Sequence, residues 1–471
     1  MMLNPADNLE GVDEILRDGG EPAFGRVTFI GATMADNRGS DAVVRAAIGQ
    51  MRLAALSVRL TLFSERVADD VAQLSHEGDS PVEVLSFSPV QMVLALPFAL
   101  AAGVVRKCGL GFRWMLPMRT LRAVAASDVV VDLSGTSFVD GRYAALLHDV
   151  LSVLIPRCLG VDVMKCAHSV GPARSWLTRT LACRTLRHVH TLVTRGQASQ
   201  RCVAALSLPV TVNVRTAADI AFADSSGEAD HADAAAIAPW LSHAAFSNGG
   251  ARVVAVAPSE LVERYCRDLG IDYVWHLTQF IDELIDKGGF GVMLLPYALR
   301  QDDGGGTGND LPLCRRIFEL VEAKSRCVLV DRALNASQLR QLVGACGFVI
   351  TSRHGALVAA LQMGVAPLTV GWSHQYAETL GAFGLDHHDL PCRDLSATAL
   401  RRVFKEIEAR QGAVRQQIRQ HLPAAVASSL ENVRLALEIV NESLARKRAK
   451  AAATRRPASE HGDSEIETSS S

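Results

Sequence analysis

Residues 347–376 read GFVITSRHGALVAALQMGVAPLTVGWSHQY, and this stretch decides the fold. A short apolar run (Phe348, Val349, Ile350) ends in Thr351 and Ser352. Arg353, His354 and Gly355 follow. An apolar pattern of helical length then leads to a second apolar run, APLTVGW (366–372). Strand, turn, helix and strand in this order make a parallel βαβ unit. In an open α/β sheet the turn after such a strand lies where ligands bind. The helix start also favours an anion there. A fixed cation, Arg353, beside a titratable imidazole, His354, with Ser352 before them, suits a phosphorylated or carboxylated substrate that must gain a proton. The plainer role for such a pair is a turn cap and a packed ring.

The same design recurs on both sides of this stretch. RVTFIG (26–31), SVRLTLFS (57–64), DVVVDLSG (128–135), VDVMKCAHSVGP (161–172) and HTLVTRG (190–196) read as strands separated by helical intervals. ARVVAVAPS (251–259), GFGVMLLPY (289–297), RCVLVDR (326–332) and GFVITS (347–352) repeat the series. Continuous apolar runs of this kind belong to parallel sheets covered on both faces. The expected organisation is a mobile start (1–25), an N-terminal Rossmann-like lobe (26–222), a polar, alanine-rich crossover (223–250), a C-terminal Rossmann-like lobe (251–395), C-terminal helices (396–446) and a disordered tail (447–471). Two parallel-sheet α/β lobes facing a cleft follow the general plan of the GT-B fold, with strand-terminal loops meeting across the cleft.

Composition narrows the classes of function. The chain has 471 residues, 49% hydrophobic and 21% charged, with a formal net charge of −2 and 5% aromatic residues. Large cores are available, and nothing in the charge balance points to nucleic acid. Ten cysteines form no C-x-x-C pair and sit mostly in apolar runs, as reduced core thiols of a cytoplasmic protein do. No metal-ligand cluster is visible. The start, MMLNPADNLEGVDEILRDGG, lacks the basic and apolar regions of a secretory signal. Gln91–Val105 is almost wholly apolar and contains Pro97. It is too short to span a bilayer and reads either as a buried helix or as an interfacial segment. In the second case residues 91–119 make a peripheral contact with the inner face of a membrane, with Arg106, Lys107, Arg113 and Arg119 on anionic headgroups.

Further motifs lie at the ends of the other strands. Asn37-Arg38-Gly39-Ser40-Asp41 follows the first strand, where Gly39 allows a tight turn and Ser40 or Asp41 caps the next helix. The ordered set NRGSDA, DVVVDLSGTSFVD (128–140), HSVGP (168–172), TRGQAS (194–199), AADIAF (217–222), LLPY (294–297) with Asn309-Asp310, SRHG and GWSHQYAE (371–378) resembles the polysaccharide pyruvyl transferase family over roughly residues 26–390. The resemblance implies a GT-B-like fold and transfer of pyruvate from phosphoenolpyruvate, as co-substrate, to a sugar acceptor as a cyclic ketal. The acceptor is a polysaccharide or glycolipid, lipid-linked in one version of this reading, and no cofactor is implied.

The residues expected at such a site are Arg353 and His354 for catalysis, with Asn37, Gly39, Asp41, Gly135, His168, Ser169, Gly171, Arg195, Ser352 and His374 around the substrate. Arginines suit bidentate binding of phosphate and carboxylate. Carbon 3 of the enol must be protonated, and His354 is the candidate acid. Asp132, Asp140 or His168 are candidates to handle the sugar hydroxyl. The sequence departs from the family pattern at four points. The family commonly has Arg-x-His where this chain has Arg353-His354-Gly355. Gln375 stands for a lysine, Tyr297 for a histidine and Thr136 for an acidic residue. Two alternatives stay open: a nucleotide-sugar donor in the same fold, and a non-catalytic member that binds a glycan or a partner.

Overall fold

The two halves of the chain build the same kind of sheet. Strands β1 (Gly25–Ile30), β2 (Val58–Ser64), β3 (Glu83–Ser86), β4 (Val129–Asp132), β5 (Thr136–Ser137), β6 (Asp162–Val170), β7 (Thr191–Thr194) and β8 (Asn213–Thr216) form the first. Its order is β3-β2-β1-β4-β6-β7-β8, with β5 paired to β6 off that path. Strands β9 (Val253–Ala257), β10 (Gly291–Leu294), β11 (Cys327–Leu329), β12 (Phe348–Thr351), β13 (Ala366–Gly371) and β14 (Asp389–Pro391) form the second, in the order β11-β10-β9-β12-β13-β14. Every pairing is parallel. The strand order reverses between β1 and β4 and again between β9 and β12. Such switch points open a crevice at the carboxyl ends of the strands. The structure, a computed structural model, describes residues 24–54, 57–75, 82–224, 231–243, 246, 250–299 and 308–455.

The apolar runs explain the layers. Every residue of β4, β9 and β12 is buried. Side chains alternate between the two faces: Val254, Val256 and Ile350 enter one core, and Val253, Ala255 and Val349 the other. The edge strands β3, β8 and β14 were not expected from the sequence. They are short and partly polar, and their pairing comes from the neighbouring strand rather than from their own pattern.

Three segments differ from expectation. Gln91–Val105 lies in a helix, Pro89–Lys107, opened by a Ser88–Gln91 capping box. It buries one stripe and exposes most of its remaining apolar surface, so it is not a buried core helix. The crossover 223–250 contains a helix, His231–Leu241, whose Ile237 and Trp240 join the core of the second lobe. The last helix, Gln411–Arg455, is continuous past residue 447. Its Val414 and Ile418 pack in the second lobe, and its Val433, Leu437, Val440 and Leu444 pack against Val27 and Leu60 in the first. Lys447, expected in a loose tail, is held by Asp128 at 2.6 Å. Residues 1–23 and 456–471, the greater part of the expected mobile ends, lie outside the described residues.

Candidate functional site

Turns after β1, β4, β9 and β12 line a cleft of about 200 Å³ between the lobes. The first lobe contributes Asn37, Gly39, Ser134, Gly135 and Thr136, and the guanidinium groups of Arg142 and Arg195. The second lobe contributes Ser352, Arg353, His354, Gly355, Trp372 and Gln375. Among the described residues Asp219 is the one carboxylate on the wall, against three arginines.

Arg353 caps the helix His354–Gln362, and its backbone N–H donates to Thr351 Oγ1 at 2.8 Å. Its guanidinium meets the Asp310 carboxylate. Asp310 is itself fixed by the N–H groups of Glu260 at 3.1 Å and Ala298 at 2.8 Å. Burial opposes the charge on Arg353, but Asp310 more than compensates and raises its pKa above the ordinary value. The side chain is 16% exposed, and it faces the cleft.

Arg195 is anchored in the same manner. It lies 2.8 Å from Asp219 Oδ2, and its Nη1 donates to Gln375 Oε1 at 3.4 Å across the lobes. Gly135, at φ +73°, makes room for it: a β-carbon there would stand 2.6 Å from Arg195 Nη2. Burial opposes ionisation of Asp219, but Arg195 and His354 outweigh it and hold the acid below its usual range. A lysine at 375 would set a second cation against Arg195. The amide found there accepts a hydrogen bond from it instead.

His354 sits between these groups. Its Nε2 is 2.9 Å from Thr379 Oγ1, and its Nδ1 is 3.6 Å from Asp219 Oδ2. Burial first, and the Arg195 charge second, push its pKa down to about 3, so the ring is neutral near pH 7. The neighbouring position 355 cannot carry an imidazole in this packing. A β-carbon on Gly355 would fall 2.6 Å from Gly39 Cα. The departure from Arg-x-His is therefore tied to a close contact between the lobes.

Seven of the expected site residues, Asn37, Gly39, Gly135, Arg195, Ser352, Arg353 and His354, meet in this cleft. The Ser352 hydroxyl is engaged with Tyr273 Oη at 2.7 Å. The other five lie elsewhere. Asp41 is buried, pairs with Arg45 at 2.6 Å and accepts from Ala336 N–H at 2.8 Å, so it ties the lobes together. His168 is buried one layer beneath the cleft, bonded to Ser134 Oγ and to Cys166 O, each at 3.0 Å. Ser169 is buried, and its N–H donates to Gly135 O at 2.9 Å. Gly171 precedes a cis proline, and its N–H donates to Ser137 O. His374 faces a neighbouring cavity of about 650 Å³ that shares Arg195 and Asp219 with the cleft, and its Nε2 lies 3.0 Å from Ser199 Oγ.

The three candidates for handling a sugar hydroxyl are also braces. Asp132 is fully buried between Lys165 Nζ at 2.6 Å and His168 at 3.6 Å. Burial would raise its pKa, yet Lys165 and His168 hold it well below the usual carboxylate range. Asp140 caps the turn before the helix Trp176–Leu186 through Arg174 N–H at 2.6 Å. Arg142, which the sequence reading passed over, lines the cleft with its guanidinium 5.8 Å from the Trp372 ring centroid. It has no ion pair with a carboxylate among the described residues. Its signal was faint, since DGRY merely follows the DVVVDLSGTSFVD motif.

Two Rossmann-like lobes, a strap helix and a switch-point cleft define a GT-B-like protein. The solved structures it is similar to agree. A putative UDP-N-acetylglucosamine 2-epimerase from Listeria monocytogenes superposes with a TM-score of 0.55 at 11% identity, covering 87% of this chain and 94% of that one. UGT73P12 from Glycyrrhiza uralensis, solved with glycyrrhetinic acid 3-O-monoglucuronide, gives 0.54 at 10% identity, covering 92% and 99%. No curated protein sequence matches the chain. Within that fold the chain belongs to the polysaccharide pyruvyl transferase family, whose model matches residues 63–374.

Proposed function

We propose that the cleft binds phosphoenolpyruvate and transfers its three-carbon unit to a sugar of a polysaccharide or glycolipid as a pyruvyl ketal. One observation carries this reading: Arg142, Arg195 and Arg353 converge on one small cleft in a member of this family. A cleft of about 200 Å³ accommodates a small dianion.

In this account Arg353 and Arg142 hold the phosphate and carboxylate. The bound dianion offsets the Arg195 charge and raises the His354 pKa, so the imidazole takes up a proton. His354 then gives that proton to carbon 3, and carbon 2 becomes an oxocarbenium-like electrophile. A sugar hydroxyl adds to carbon 2 and loses its proton to the neutral imidazole. A second hydroxyl attacks carbon 2, the bond from carbon 2 to the phosphate oxygen breaks, and inorganic phosphate leaves with that hydroxyl's proton as the ketal closes. The products are the ketal and phosphate, with no redox change.

A second reading, a non-catalytic member that binds a glycan or a partner, is favoured by the orientation of His354, whose two ring nitrogens both face protein groups. Release of phosphate from phosphoenolpyruvate that depends on added sugar acceptor tests the two. Turnover supports the transferase. No turnover and no binding of phosphoenolpyruvate supports the alternative.

A further inference from the structure

The helix Pro89–Lys107 buries Met92, Ala95, Ala99 and Ala102 against the first lobe. Most of its apolar surface is left exposed. Val90, Val93, Leu94, Phe98 and Val104 are exposed, Leu94 at 59% and Val90 at 69%. Trp114, in the turn that follows, is 82% exposed. Large apolar side chains gathered on one element mark an interaction face. At 19 residues the helix is about 28 Å long, near the thickness of a bilayer core. Its buried stripe nevertheless fixes it along the lobe, so it lies on a surface instead of crossing one.

The charges beside this face identify its partner. Residues 89–122 contain five basic residues, Arg106, Lys107, Arg113, Arg119 and Arg122, and no Asp or Glu. Lys107 and Arg122 are exposed and have no carboxylate partner among the described residues. Apolar side chains flanked by unpaired cations complement an anionic bilayer, where the former enter the acyl boundary and the latter meet the headgroups. A second copy of the same face would set these cations against one another. The adjoining helix, Tyr143–Leu159, packs along the first with Gly103 against Cys158. It begins beside Arg142 of the cleft and exposes Tyr143 and Leu147.

We infer that the exposed face of Pro89–Lys107, with Trp114, docks the protein in the plane of an anionic lipid bilayer and sets the cleft beside a lipid-linked sugar acceptor. The identity of the acceptor rests on the pyruvyl transfer proposed above; the docking does not. The test is flotation of the full chain with vesicles of phosphatidylcholine alone or mixed equally with phosphatidylglycerol. The wild type should float with the mixed vesicles and not with the neutral ones, and added salt should weaken the binding. Leu94→Glu with Phe98→Glu, and separately Lys107→Glu with Arg122→Glu, should each weaken it by at least about tenfold, with the circular-dichroism spectrum unchanged. Wild type that stays off anionic vesicles overturns the docking. So do variants that bind as wild type, and so does a dimer that the first pair of substitutions dissociates. A sugar on a lipid anchor in mixed vesicles should react at least about tenfold faster than the free sugar, and equal rates overturn the acceptor assignment. Binding of phosphoenolpyruvate without vesicles separates the two accounts: a chain that floats but does not bind it refutes the transferase reading alone.

Discussion

The backbones of Gly39 and Gly355 meet across the cleft, and a β-carbon on Gly355 would lie 2.6 Å from Gly39 Cα. One glycine follows the first strand of the N-terminal lobe and the other follows the central turn of the C-terminal lobe. Their contact joins the lobes at the cleft that Arg195 and Arg353 line. Gly355→His, which restores the family spacing, should therefore lower turnover. The clash should also destabilise the chain by about 1–3 kcal/mol, in the range of overpacked sites. Phosphate release and urea unfolding measure both. A gain in turnover would place the proton donor at 355.

Arg353 is both a cleft cation and the partner of a buried carboxylate. Arg353→Ala should cut turnover by at least about 10²-fold, as loss of an oxyanion donor does. It also strands Asp310, at a cost of about 3–5 kcal/mol. Arg353→Ala with Asp310→Asn removes that stranded charge. The double variant should regain stability without regaining turnover. Recovery of both would make Arg353 purely structural.

Arg142 pairs with no carboxylate among the described residues, so its charge is available to a ligand. Arg142→Ala should raise KM for phosphoenolpyruvate by roughly tenfold, equivalent to about 1.4 kcal/mol of binding, with a smaller change in kcat. Steady-state kinetics decide it, and an unchanged KM removes Arg142 from the donor site.

His354 carries a pH signature. Its folded pKa is about 3, against an ordinary value of 6.5. Between those values the unfolded chain binds the proton and the folded chain does not. Its contribution to stability is thus intact above pH 6.5 and is lost as pH falls toward 3. His354→Gln should flatten the fall of the urea midpoint over that window. Phosphoenolpyruvate should reverse the shift, so binding near pH 7 should be accompanied by proton uptake that the variant lacks. Calorimetry in buffers of different ionisation enthalpy reads this directly. Equal uptake in both proteins would exclude His354 as the group that charges.

Much of the architecture was written in single strands. Val129–Val131, Val253–Ala257 and Phe348–Ile350 are apolar throughout because both faces are covered, and that pattern is visible without a structure. The strap formed by Gln411–Arg455 was not visible, because its surface changes from one lobe to the other along its length. At the cleft, Gly135, Arg195 and Arg353 lie in turns that follow strands, whereas His168 lies inside β6 and Asp132 closes β4. His168 and Asp132 look like chemistry in the sequence, but both are buried beneath the cleft beside Lys165. A motif gives position along the chain, whereas function at the cleft depends on which way the side chain points. Arg142 shows the converse, an isolated residue whose place on the cleft wall follows only from where its turn is held.

A crystal soaked with phosphoenolpyruvate tests the central claim most directly. The account predicts the ligand between the Gly135 turn and the Arg353–His354 turn, with Arg353 and Arg142 on its phosphate and carboxylate. A ligand bound outside this cleft, or a cleft that stays empty when the ligand is in large excess, would contradict it.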